Sequence, residues 1–100
     1  MFVSVIVRRL KDGKTYDDFR TAWYPDKGFG VPVRVISAVS NADEREIISV
    51  GFVDVAADEL DQSLVSVAAA EAVRHDRIAE VIESTVHRGI YEVRDEDDLS

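Results

Sequence analysis

The chain has 100 residues, 46% of them hydrophobic and 32% charged, which fits one soluble domain and leaves no room for a second. With 20 acidic against 12 basic side chains the formal charge is −8, which argues against the phosphate-neutralising surface of a nucleic-acid binder and against an anionic membrane surface as partner. Cysteine is absent, so disulfides, thiol catalysis and thiolate metal sites are excluded, in keeping with a reducing, cytoplasmic setting.

Phe2 to Leu10 is β-branched and apolar on both alternating faces, with Val3, Val5 and Val7 on one and Phe2, Ile6 and Leu10 on the other. This pattern predicts a strand buried on two sides, and the run is too short for a signal segment or a membrane span. Lys11-Asp12-Gly13-Lys14 is a turn. Thr15 followed by Asp18 then resembles a capping box with Asp in place of Glu, opening a helix whose apolar stripe is Tyr16, Phe19 and Trp23. Pro25 stops that helix near Tyr24. The stretch from Pro25 to Pro32, with Gly28 and Gly30, is a shaped loop. Gly28-Phe29-Gly30 is no phosphate loop, because it follows a helix instead of a strand and opens no second helix.

Val31 to Val39 predicts a second strand and Ile47 to Val55 a third, joined as a hairpin through Asn41-Ala42-Asp43-Glu44. From Asp58, a suitable N-cap, to about Val86 the pattern is helical, and His87 to Arg94 returns to strand character. The second half of the chain holds 13 of the 20 acids, ending in Asp95-Glu96-Asp97-Asp98. Residues 1–94 are therefore expected to form one α+β domain and residues 95–100 a solvated acidic tail.

The element order β-α-β-β-α-β is that of the ferredoxin-like split βαβ unit, with a four-stranded antiparallel sheet whose first and third strands are central. Pro32 and Arg34 on the second strand, and Arg88, Glu92 and Arg94 on the fourth, suit edge positions. Both helices of this topology lie on one side of the sheet, yet Val5 is backed by Ile6 and Phe52 by Val53. The other side needs a cover, and a second copy of the sheet is the simplest one.

In length, element order and patterning such as Thr15-Tyr16-Asp17-Asp18-Phe19-Arg20-Thr21-Ala22-Trp23, the chain resembles the dimeric α+β barrel superfamily, which includes antibiotic-biosynthesis monooxygenases, muconolactone-isomerase-like proteins and stress-responsive barrels. The resemblance implies two sheets paired in a homodimeric barrel, with a small-molecule cleft between each sheet and its helices. It implies no particular reaction. The haem-degrading members use an Asn on the first strand together with a Trp and a His; here that strand carries Ser4, and the sole asparagine is Asn41 in a turn.

Candidate chemical groups are few. On a continuous helical wheel Leu64, Ala68, Ile78, Ile82 and Val86 fall close to one line, and Glu71 and His75 interrupt that stripe. Their i,i+4 spacing lets the carboxylate orient the imidazole as a general base. A break near Arg74-His75-Asp76 would instead leave both in water. Arg34 would anchor a carboxylate or an oxyanion if it points inward, and lies in solvent or across a dimer interface otherwise. Trp23 would wall a flat ligand and Tyr24 would donate to it, unless the first packs in the core and the second caps the surface. Tyr91, Ser4 and Ser49 complete the ligand-contact candidates. Grouping His87 with Glu71 and His75 matches no recognised zinc spacing, so neither metal nor cofactor is expected.

Two functions follow as expectations. The first is a cytoplasmic homodimer that binds an apolar or aromatic metabolite, with a cofactor-independent monooxygenase or isomerase as the activity implied by the resemblance. The second is a non-catalytic dimerisation module whose cleft is filled by its own side chains.

Overall fold

A computed structural model describes residues 1–24 and 33–100, the side chains of 63–70 excepted. The elements run β1 (Phe2–Leu10), α1 (Tyr16–Trp23), β2 (Val33–Val39), β3 (Glu46–Val53), α2 (Leu60–Ala79) and β4 (Ile82–Glu92), with a 3-10 turn at Ala57–Glu59 before α2. The strands form one antiparallel sheet in the order β2-β3-β1-β4. This is the expected ferredoxin-like α+β arrangement, with β1 and β3 central and the charged Arg34, Arg88 and Glu92 on the edges.

The start of α1 follows from its sequence. The Thr15 hydroxyl accepts from the Asp18 N–H at 3.4 Å while the Asp18 carboxylate accepts from the Thr15 N–H at 2.9 Å, which satisfies two donors a helix start leaves orphaned. Those bonds hold the Asp18 carboxyl below the usual carboxylate range. Phe19 and Trp23, one turn apart, are the buried face of α1. Tyr24 has extended backbone geometry, as the residue before a proline should.

Two expectations about the second helix are corrected. It ends at Ala79 and not near Val86, and Ile82 to Val86 belong to β4. Backbone pairing with β1 outweighs the helical periodicity there, and the β-branched Ile82, Thr85 and Val86 suit a strand. The pairing slips between Val7 and Arg8 and again between Arg9 and Leu10, leaving Val86 and Glu83 without partners on β1, so β4 bulges twice. Asp58 does not cap the helix. It lies inside the 3-10 turn, and Glu59, at the cap position, makes no side-chain cap bond. No break occurs at Arg74–Asp76, because α2 is continuous through them. The loop from 25 to 32, Pro32 with it, and the side chains of Leu64 and Ala68 lie outside the described residues.

Register divides the sheet into two faces. Leu10, Ile47, Val35 and Ile82 lie on the side where Phe19, Trp23 and Ile78 pack, and this is the core. Pairing places Val3, Val5 and Val7 beside Phe52, Val50 and Ile48 on the other side, joined across β3 by Ile36 and Ala38. Among the described residues no helix covers that second face, and the molecule is only 19 Å thick, the depth of two layers. At the β4 edge of the open face the Tyr91 ring lies back across Gly89, where an added Cβ would meet its hydroxyl at 2.8 Å, and that hydroxyl hydrogen-bonds His87 Nε2 at 2.7 Å.

Phe19 is fully buried in the core, so Phe19→Ala should destabilise by about 3–5 kcal/mol, whereas Thr15→Ala, which removes only the cap, should cost about 1 kcal/mol. Urea unfolding at fixed protein concentration checks both, with the midpoint ordered wild type, Thr15→Ala, Phe19→Ala.

Candidate functional site

Strand alternation puts Ser4, Ile6 and Arg8 of β1 on the helix side of the sheet, paired with Gly51, Ser49 and Ile47 of β3. Ser37 of β2 lies beside Ser49, so small side chains occupy the middle of this face while Ile90 of β4, on the same side, is 48% exposed. Within the interface Arg8 is 1% exposed and Ser49 5% exposed. Among the described residues neither the Nε and Nη1 groups of Arg8 nor the Ser49 hydroxyl has a hydrogen-bond partner. Leaving a buried charged donor without one costs on the order of a few kcal/mol.

The guanidinium carbon of Arg8 lies 5.5 Å from the centre of the Phe19 ring, a compensating contact. Burial is the main cause lowering its pKa to about 10, with the charges of Arg88 and Arg74 adding to the effect and Glu71 opposing it. The group therefore stays protonated at neutral pH.

Charged groups of α2 lie near Arg8. Glu71 and Arg74, one turn apart, meet at 2.5 Å, and the same carboxylate oxygen lies 3.4 Å from His75 Nε2. Arg74 also donates to the Trp23 carbonyl at 3.3 Å and stands 5.1 Å over the Trp23 ring, which ties α2 to the end of α1. His75 is held below the ordinary histidine value chiefly by burial; Arg88, Arg74 and Arg8 push the same way and Glu71 pushes against them. A neutral imidazole beside a carboxylate can accept a proton from a bound molecule.

The candidates named from the sequence separate by face. Glu71 and His75 are brought together, on one turn of α2 and not along a helix reaching Val86. Ser4 and Ser49 share the helix side with them. Trp23 is buried in the core cluster, and Tyr24 is 60% exposed with its ring against Arg20. Arg34 pairs with Phe52 and Tyr91 with Val3, so both lie on the open face, apart from His75 and Glu71. His87 pairs with Val7 on that same open face, and among the described residues no three metal-ligating side chains cluster.

Arg8 and Arg74 escaped the sequence reading. Arg8 was legible in principle, because it stands two residues from both Ile6 and Leu10 and so shares their buried face. Arg74 lies one turn before the buried Ile78, the same kind of signal.

No protein-family model and no curated protein matches this sequence. The fold does have solved counterparts. One is a putative antibiotic biosynthesis monooxygenase from Chloroflexus aurantiacus, at TM-score 0.68 and 11% identity, covering 99% of this chain and 98% of that one. Another is a NIPSNAP family protein from Agrobacterium tumefaciens, at TM-score 0.63 and 17% identity over 99% and 98% of the two chains. A third, from Shewanella oneidensis, has TM-score 0.57 and 20% identity over 91% and 92%. At these identities what is shared is the ferredoxin-like α+β fold. Among the described residues no helix is long and apolar enough to cross a membrane.

Because folding disfavours the charged form of His75, the unfolded chain binds its proton more readily, and this contribution makes stability rise with pH. The contribution should be fully present above the ordinary histidine value of 6.5 and be lost as pH falls through the folded value. Stability curves between pH 5 and 7.5, on the order of the histidine range, should steepen less in His75→Gln than in wild type, and an NMR titration should place the His75 midpoint below 6.5.

Proposed function

We propose that the protein is a cytoplasmic homodimer, two sheets packed through their open faces, in which each protomer binds an apolar or aromatic small molecule between the sheet and α2. The observation that carries the dimer is the uncovered apolar face: Val3, Val5, Val7, Ile48, Val50 and Phe52, flanked by Ile36 at 50% exposure. At roughly 25 cal/mol per Å² of apolar surface, covering several hundred square ångströms stabilises by several kcal/mol. The long extents of the molecule, 41 and 38 Å, leave a face ample for a stable interface of about 800 Å² per partner.

Support for a ligand on the helix side comes from the small residues Ser4, Ser49 and Gly51 at the middle of that face and from the polar groups of Arg8, Glu71 and His75 converging there. In chemical terms His75 would take a proton from a bound acidic carbon or hydroxyl, Glu71 would orient the imidazole, and Arg8 would stabilise the negative charge that develops. One fold neighbour is described as an antibiotic biosynthesis monooxygenase, which makes a cofactor-independent monooxygenase or isomerase the activity to test first. The competing reading is a non-catalytic dimerisation module with a self-filled cleft, which the packing of Trp23 inside the core favours.

Native mass spectrometry of freshly purified protein tests both parts. The expected species is twice the 11.2 kDa protomer, with added small-molecule mass. A ligand-free dimer supports the competing module, and a stable monomer at micromolar concentration removes the dimer. Val50 pairs with both Val5 and Ile36 at the middle of the open face, so Val50→Lys should weaken dimerisation at least about tenfold in sedimentation equilibrium.

A further inference from the structure

The geometry points to an anion-recognising cleft: the molecule bound between sheet and α2 carries a carboxylate on an apolar or aromatic body, and Arg8 together with Ser49 holds that carboxylate. The inference rests on the small-molecule reading above and names the chemical class.

Three observations carry it. Arg8 is buried to 1% exposure and protonated at neutral pH, yet its Nε and Nη1 hydrogens are unused. Those nitrogens carry three of the five N–H donors of a planar guanidinium, the group that recognises carboxylates. Ser49, also buried with an unpartnered hydroxyl, lies diagonal to Arg8 across the β1–β3 pair, since Arg8 faces Ile47 and Ile6 faces Ser49. Diagonal neighbours on one face are within reach of a common small group.

The third observation is the balance of charge. Among the described residues, the groups felt by Arg8 are two further guanidinium groups, Arg88 and Arg74, and one carboxylate, Glu71. That carboxylate already accepts from Arg74 at 2.5 Å. A buried positive charge in such surroundings is short of an anion, and a ligand carboxylate supplies both the missing charge and the missing acceptors. The apolar remainder of the ligand would lie along Ile6, which borders both Arg8 and Ser49 on the helix side, and toward Ile90, diagonal to Ile6 across the β1–β4 pair.

A purely structural Arg8, held in place by its contact with the Phe19 ring, would make the opposite prediction about stability. If it packs only against Phe19, replacing it destabilises the free protein. If it awaits an anion, replacing it with an apolar side chain of similar length relieves an uncompensated charge.

The test uses full-length wild type, Arg8→Met and Arg8→Lys with two probes of nearly equal shape, 2-naphthoate and 2-naphthamide, followed by calorimetric titration and by thermal unfolding. Expected is naphthoate binding at least tenfold more tightly than naphthamide to wild type. Arg8→Met should abolish the preference and raise the melting temperature of the ligand-free protein, and Arg8→Lys should retain part of the preference. Equal binding of the two probes to wild type overturns the anion site and leaves the small-molecule cleft standing. Binding of neither probe overturns both. A preference that survives in Arg8→Met, or a lowered melting temperature of that variant, assigns Arg8 a structural role. Should Arg8→Met not fold, that failure is itself the structural outcome, with the wild-type comparison of the two probes deciding the ligand class.

Discussion

A two-layer fold can bury only one face of its sheet, and in this protein the central β1–β3 pair is apolar on both. Leu10 and Ile47 disappear beneath α1 and α2, while Val5 and Val50, farther along the same strands and on the other face, remain only half-buried. The constraint follows from the chirality of the connections, which sends both crossover helices to the same side. It makes the open face the largest unmet demand of the chain. It also frees the helix side from having to be the whole core, since apolar burial can be completed elsewhere.

That freedom bears on the polar groups among the helices. The hydrophobic cluster of Leu10, Phe19, Trp23, Ile47 and Ile78 sits at one end of the interface. Toward the other end the sheet carries Ser4, Ser49 and Gly51, and Glu71 and His75 of α2 stand near Arg8. A domain built only for stability would place apolar side chains at Arg8 and Ser49, where no partner repays the cost of removing their donors from water. Unpartnered donors and a histidine whose charged form burial disfavours sit together on one side of the sheet, where local rules of satisfaction are broken and function is the usual reason.

The element order was legible because each element carries its own signal. Alternation marked β1, the Thr15–Asp18 box opened α1 and a short polar turn joined β2 to β3. The boundary between α2 and β4 was not legible. Ile78, Ile82 and Val86 continue a helical spacing, and only pairing with Leu10 and its neighbours decides that the last two belong to a strand. The Glu71–His75 contact could be anticipated, since i,i+4 neighbours meet on any continuous helix. The separation of Arg34 and Tyr91 from that contact could not, because it depends on which face each strand turns to the helices.

The amino-acid sequence by itself determined the periodicities: the order of strands and helices apart from the α2–β4 boundary, that β1 and β3 are greasy on both faces, and that the chain is acidic and free of thiols. These are local or compositional quantities, set by side-chain spacing and charge. Only the tertiary structure decided that the Arg8 donors go unused there, near Glu71 and His75 of a helix more than 60 residues further along the chain. Such a meeting is a matter of register and of the side to which the helices cross. No window of sequence contains it.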